Sequence, residues 1–357
     1  SWVRSRPRSV VAAARNLGVR ASSGDVLCFL DADTAPEPGY VRELTRLPAL
    51  LPEAVTVGRR RHADFSGIAP EPPVLEAVVD RELPEPTWLA QEYARSRDLL
   101  DADDRSYRFV IGAVIACSRR LFDETGGFDE SFSAYGGEDW EWAHRMWQAG
   151  AVLAHVPTAV AWHDGPEWAE RSGSGLERAN AQTMTLVSSI PVGGSAPRGL
   201  LSDVPDLVVR LRGTHTPEAL FIAVDSILAA FPLARVVVDA TMTAFAGDPR
   251  ITVDDGPLDA RVIWELDRPV VVLERDWITE RIAGLGTGDV GGVDLVDAEG
   301  SSLGVLRSRR AMRRAVRWGT SDAFESHRAV ADGIHLVRSD PRVEAWVGGW
   351  GSRDQFC

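Results

Sequence analysis

The chain contains no lysine: all 39 of its basic residues are arginine. Together with heavy use of Ala, Gly and Val, this reads as the codon bias of a GC-rich genome rather than as a functional device. Cysteine is scarce as well. The three that are present, Cys28, Cys117 and Cys357, have no metal-ligand spacing, and the first two sit in apolar strand-like runs where cysteine behaves as a small hydrophobe. Nothing here asks for an oxidising compartment. No apolar run approaches the roughly 20 residues that span a bilayer, and Ser1-Trp2-Val3-Arg4 is not followed by the apolar core of a secretion signal. The expected location is therefore the cytoplasm, with peripheral association at the inner face of a membrane left open. A formal charge of −13 argues against a nucleic-acid binder, and Arg307 to Arg317 is the one basic block that stands out.

What is present suits a globular protein of about two domains: 357 residues, 45% of them hydrophobic. The organising stretch is Asp25-Val26-Leu27-Cys28-Phe29-Leu30-Asp31-Ala32-Asp33, followed by Thr34-Ala35-Pro36. Five apolar residues without alternation predict a strand buried on both faces, and they place Asp31 and Asp33 at its carboxyl end. In an open α/β sheet that edge binds ligands, and two carboxylates one residue apart can hold a hard cation against a diphosphate. A second Asp-Ala-Asp at 101–103 has no apolar strand before it and reads as a solvated turn.

In chain order, the composition predicts a helix over 8–21, helices at 40–51 and 86–99, a short strand at 54–58, a second buried strand over 109–118 and a short helix at 119–124. Gly136-Gly137 then precedes a Trp-rich helix with Glu138 and Asp139 in its first turn and Gly150 at its end. A helix N-terminus favours an ionised carboxylate, which suits a base; simple capping is the plainer alternative. Trp140 and Trp147, at helical spacing, read as core. A strand region over 152–160 leads to His163, whose neutral imidazole could complete a divalent site begun by acids. His144 and His155 read as structural.

Residues 12–39 and 108–166 resemble the inverting GT-A glycosyltransferases of family 2 whose second half looks like a galactosyltransferase-type C-terminal module. The stretches that carry the resemblance are Ala14-Arg15-Asn16-Leu17-Gly18, Gly24-Asp25 through Asp33, Gly126-Gly127-Phe128-Asp129-Glu130 and Gly136-Gly137-Glu138-Asp139. The resemblance implies a Rossmann-like mixed sheet and donor-binding roles for Arg15, Asn16, Asp31 and Asp33. It implies an Mn²⁺ or Mg²⁺ site of Asp31, Asp33 and His163, with Asp139 as general base beside Glu138. Gly137, Glu138 and Trp140 would face the acceptor. The implied reaction moves a sugar from a nucleotide-diphosphate donor to a hydroxyl of a glycan or glycolipid, as in making a bacterial surface glycan. A sheet of this kind normally opens with a βαβ unit, and the chain begins on a helix, so a longer parent protein is expected.

Pro191 to Gly199 reads as a linker, dividing a domain over 1–190 from one over 205–357, with 191–204 between them. The second half supplies a βαβ opening at 207–239. Pro269 to Trp277 echoes the organising strand and Gly304 to Arg310 echoes Gly112 to Arg120, predicting a second, degenerate GT-A-like domain with Glu274 and Asp276 where the acids would be. A competing arrangement would have 207–239 complete the first sheet. Two rival functions remain: a glycosyltransferase-like carbohydrate-binding protein without turnover, and a nucleotidyltransferase, which would need no base poised for a sugar hydroxyl.

Overall fold

The computed structural model describes residues 11–68, 73–132, 136–166, 175–239, 245, 247–253, 259–320 and 323–357. The chain forms two compact units, residues 1–186 and 187–357. The first unit ends four residues before the expected 190, and the second takes in the expected linker 191–204. Ile190 and Val192, placed by composition in or beside a linker, are buried, so that stretch is packed chain. Among the described residues no helix is long and apolar enough to cross a membrane.

The first unit opens with α1 (Val11–Arg20); the expected residues 8–10 lie outside the described ones. It continues through β1 (Val26–Leu30), β2 (Thr34–Pro36), α2 (Tyr40–Leu50), β3 (Ala54–Ala63), α3 (Val74–Ala77), β4 (Glu82–Leu83) and α4 (Thr87–Arg95). After a 3₁₀ turn at Ser106–Phe109 come β5 (Val114–Ser118), α5 (Arg119–Glu124), α6 (Glu138–Gln148), β6 (Val152–Asp164) and α7 (Gly175–Leu186). The sheet runs β1-β5-β3-β6-β2, with β4 beside β3. It is mixed: β3 and β6 are parallel, whereas β1/β5, β3/β5 and β2/β6 are antiparallel.

Two expectations need correction here. β1 is not buried on both faces: Leu27 and Phe29 point into the core while Cys28 and Leu30 are exposed. It is also an edge strand, with β5 on one side and no strand on the other among the described residues. The expected strand over 109–118 is a strand only from Val114, since the preceding Ser106–Phe109 turn coils instead.

The core of this unit ties β1 to α6. Phe29 packs edge-on to Phe128 at 5.3 Å and stacks on Phe122 at 5.7 Å, while Phe128 stacks on Trp142 at 5.0 Å. Trp142, Ala143 and Met146 on α6 are wholly buried. Each such aromatic pair contributes about 0.5–1.5 kcal/mol beyond the area it buries. Asp31 lies two residues after Phe29 and Asp139 three before Trp142, so this cluster sets the distance between the strand acids and the helix acids.

The second unit comprises β7 (Leu207–Leu211), α8 (Pro217–Ala230), β8 (Arg235–Val238), β9 (Ile251–Thr252), β10 (Val262–Leu266), β11 (Val270–Val272) and α9 (Asp276–Gly284). β12 (Val290–Val296), β13 (Ser302–Ser308), α10 (Arg309–Trp318), β14 (Glu325–Val330), β15 (Ile334–Leu336) and α11 (Val343–Trp346) complete it. Its main sheet is β14-β12-β13-β10-β7-β8-β9. Residues 207–239 therefore belong to the second unit's own sheet and do not complete the first.

A run of strand pairings recurs in the second unit, displaced from where the sequence suggested. β10 pairs antiparallel with β13 as β1 does with β5, placing Val262 opposite Ser308 as Val26 lies opposite Ser118. Each of those serines caps the helix that follows, Ser118 accepting from the Leu121 amide and Ser308 from Ala311. Next to them, the Arg119 and Arg309 amides donate back to Asp25 and Arg261. β12 then lies between an antiparallel β13 and a parallel β14, as β3 lies between β5 and β6. The counterpart of Leu30-Asp31 is thus Leu266-Asp267, the place of Asp33 falls on Pro269, and Glu274 and Asp276 lie beyond β11. Two β-forming runs three residues apart, Val-Ile-Trp-Glu-Leu and Val-Val-Val, compete for the match by pattern, and only the strand pairing decides between them.

Candidate active site

Asp31 and Asp33 occupy a tight turn between β1 and β2, closed by the Thr34 amide donating to the Asp31 carbonyl at 3.1 Å. β2 places Thr34 opposite His163 on β6. This register brings His163 Nε2 within 3.4 Å of Asp33 Oδ2, with the imidazole only 10% exposed and the carboxylate 58% exposed. Burial lowers the His163 pKa, opposed by the Asp33 charge, so the ring is held neutral.

Asp31 faces the other way. Its Oδ1 accepts from Arg15 Nη2 at 3.0 Å, and Arg15 Nη1 donates to Glu138 Oε1 at 3.1 Å. The guanidinium therefore clamps an acid from β1 to an acid from α6, resting over the Phe128 ring at 5.2 Å. Gly112 makes room for it, since a Cβ there would meet Arg15 Nη1 at 2.7 Å.

Glu138 is buried, and desolvation raises its pKa; the neighbouring Asp139 charge adds to this and Arg15 opposes it. Asp139 accepts the Trp140 amide at Oδ1, 2.9 Å, and the Gly112 amide at Oδ2, 3.0 Å. Both oxygens are fixed in direction and keep lone pairs for a further partner. Gly137 enters α6 with φ +94°, a left-handed conformation that suits glycine, and a Cβ there would crowd Gln182 of α7 at 3.1 Å. Trp140 is half-buried, its ring edge-on to Tyr107 at 6.2 Å. A groove of about 830 Å³ runs along α1 and β1 to Asp31 and Asp33, lined by Arg15, Cys28 and Leu30 among others.

The structure therefore brings Asp31, Asp33, Glu138, Asp139 and His163 to one rim of the sheet but divides their labour differently from the sequence reading. Among the described residues no three His, Cys, Asp or Glu side chains converge on one point. The expected trio reduces to Asp33 and His163, because Arg15 holds Asp31. Two acceptor atoms facing each other at 3.4 Å, a carboxylate oxygen and a neutral imidazole nitrogen, fit a divalent cation.

Asn16 is also corrected. It is buried, and its side chain closes both ends of the Phe128 peptide, donating to the carbonyl at 2.8 Å and accepting from the amide at 3.0 Å, with Glu130 at 2.9 Å. It shapes the Gly126-Gly127-Phe128 turn and has no reach left for a donor. Glu138 likewise braces Arg15 from within the protein and does not face an acceptor in the open. His62 was missed, because the strand expected at 54–58 runs on to Ala63 through Arg59-Arg60-Arg61. That continuous β-run ending in a histidine was the available signal.

Comparison with known proteins gives the same class. The family model for glycosyl transferase family 2 matches residues 3–125, and that for the N-terminal domain of galactosyltransferase matches residues 98–161. The chain is 27% identical over 194 residues to a chondroitin synthase of Escherichia coli, covering 50% of this chain and 28% of that protein. It is 26% identical over 190 residues to a hyaluronan synthase of Pasteurella multocida, covering 49% and 19%. A pre-mycofactocin glycosyltransferase of Mycobacterium tuberculosis is 29% identical over 161 residues, covering 43% and 30%. A solved structure of GalNAc-T7 with UDP, GalNAc and Mn²⁺ overlays with a TM-score of 0.33 at 19% identity, over 48% of this chain and 33% of that one. This chain thus spans less than a third of the length of each of these curated relatives. Its first unit carries the match to the glycosyl transferase family 2 model and is similar to the glycosyltransferases named above.

Proposed function

We propose that the first unit transfers a sugar, with inversion, from a nucleotide-diphosphate donor to a hydroxyl of a glycan or glycolipid acceptor, using Mn²⁺ or Mg²⁺. The observation that carries this reading is the Arg15 clamp, which joins the turn bearing Asp31 and Asp33 to the helix start bearing Glu138 and Asp139. Donor-side acids and the helix start with its fixed carboxylate are thereby tied together through one guanidinium, the proximity that a single displacement needs.

Asp33 and His163 would hold the cation, which when bound would neutralise charge on the departing nucleotide diphosphate. Asp139 takes the proton from the acceptor hydroxyl. Its amide partners, Gly112 and Trp140, keep the carboxylate aimed while the hydroxyl attacks the anomeric carbon and the carbon–oxygen bond to the diphosphate breaks. Arg15 keeps Asp31 and Glu138 from repelling each other and holds the two halves of the site at fixed separation. We assign no turnover to the second unit. Pro269 and Leu336 stand where Asp33 and His163 would be, and among the described residues α10 is followed by β14 with no counterpart of α6.

The test is cation-dependent release of nucleotide diphosphate by purified protein given candidate donors and acceptors. Asp139→Asn should lower turnover by about 10²–10⁴-fold, the usual worth of a general base, with the native circular dichroism spectrum retained. Sugar binding that persists without any turnover in the unsubstituted protein would favour the carbohydrate-binding reading.

A further inference from the structure

His62, at the end of β3, adjoins the candidate cation site without belonging to the motifs above. Parallel pairing of β3 and β6 sets it directly opposite His163, and the two rings pack with centroids 5.1 Å apart. Both also use one anchor. His62 Nδ1 lies 3.0 Å from the Gly165 carbonyl oxygen, and His163 Nδ1 lies 3.4 Å from the same atom. A carbonyl only accepts, so His62 Nδ1 carries the proton, and a proton on His163 Nδ1 directed to the same oxygen would leave its lone pair on Nε2, the atom beside Asp33.

The anchor itself is rigid. The Gly165 amide donates to Ala63 at 2.8 Å, the Asp164 amide donates to the Asp33 carbonyl at 3.0 Å, and Asp164 Oδ1 accepts from the Phe65 amide at 3.1 Å. β2, β6 and the end of β3 are thereby cross-tied around one carbonyl. The His163 bond to that carbonyl is long and by itself would orient the ring weakly. His62, 1% exposed, supplies the wall that the ring rests against.

We propose that His62 is a positioning residue: by donating its Nδ1 proton to the Gly165 carbonyl that His163 also uses, it fixes that oxygen so that the His163 ring is held with Nε2 facing Asp33. The inference rests on the cation reading of Asp33 and His163 given above. Partners of this kind around metal ligands are worth about 10–100-fold in affinity.

Two variants and two readouts test it. His62→Phe keeps a ring but loses the N–H; His62→Asn keeps a donor near the carbonyl. In cation-free protein at pH 8, long-range ¹⁵N NMR of the His163 ring should show the Nδ1–H form in the unsubstituted chain and in His62→Asn, and a mixture of forms in His62→Phe. Titration with Mn²⁺ followed by electron paramagnetic resonance should show about tenfold or greater weakening in His62→Phe, largely recovered in His62→Asn. An unchanged His163 spectrum in His62→Phe, with thermal melting showing the variant folded, would overturn the proposal. If the spectrum changes as expected but the unsubstituted chain binds no Mn²⁺, the positioning role stands and the cation reading fails. Should His62→Phe not fold, a His163 spectrum of the unsubstituted chain dominated by the Nε2–H form would overturn the proposal.

Discussion

Arg15 and Asn16 are neighbours on α1, and their side chains meet Phe128 with different tasks, Arg15 over its ring and Asn16 on its peptide. Asn16 fills the hydrogen-bonding needs of the Phe128 peptide, so Asn16→Ala should cost about 3 kcal/mol, the scale of a buried amide and carbonyl left unpaired. Urea unfolding would measure it, and a loss below about 1 kcal/mol would contradict the assignment. Both residues were visible in the sequence as part of a motif. Their tasks were not, because Phe128, Glu130 and Glu138 lie over a hundred positions away and nothing local marks them as partners. His155 gives a prediction independent of the site. It is stacked on Tyr93 at 3.7 Å and paired with Asp98 at 2.8 Å, and burial lowers its pKa below 6.5. The unfolded state then binds the proton more readily, so the contribution of His155 to stability is full above pH 6.5 and is lost as pH falls through the folded-state pKa. Melting temperature should drop on acidification from pH 7.5 to 5.5, and His155→Phe should show a shallower drop.

At the scale of elements, α6 was the most legible part of the chain. Its acids, its two preceding glycines and its terminal Gly150 mark Glu138–Gln148 without help from tertiary structure. Gly137→Ala should destabilise the unit by about 1–2 kcal/mol from the left-handed backbone alone, and more through the contact with Gln182. Differential scanning calorimetry would read the shift, with activity expected to fall alongside because α6 carries Asp139. A fold-neutral Gly137→Ala would contradict the tight fit of α7 over this turn. β1 was legible as a strand but not as one-sided, because an uninterrupted apolar run looks the same whether one face or both are covered. Its burial depends on what packs on each face, and that is a property of the whole unit. β11 drew the match that belonged to β10 for a related reason: composition finds β-formers, while register comes only from hydrogen-bonded partners.

For the whole molecule, one run of four strands recurs, β1-β5-β3-β6 in the first unit and β10-β13-β12-β14 in the second, down to the serine caps at Ser118 and Ser308 and the amides returning to Asp25 and Arg261. The second unit has its own core, in which Val209, Val236, Val262, Trp264 and Leu306 are wholly buried. Residues 187–357 expressed alone should therefore unfold in one cooperative transition by circular dichroism. They should also bind no Mn²⁺ at concentrations that saturate the whole chain; binding there would show that ligands other than Asp33 and His163 hold the ion. The presence of two units was legible from composition and from the glycine- and proline-rich stretch near residue 190. The counterparts of Asp31 and Asp33 in the second unit were expected at Glu274 and Asp276, and the strand pairing sets Asp267 and Pro269 there instead. The central claim is that Asp33 and His163 grip a divalent cation on the rim that also carries Asp139. Crystals of the protein grown with Mn²⁺ and measured at the manganese absorption edge test it most directly. An anomalous peak within about 2.0–2.3 Å of both Asp33 Oδ2 and His163 Nε2 is the predicted result, and full Mn²⁺ occupancy elsewhere, with none between these two atoms, would contradict it.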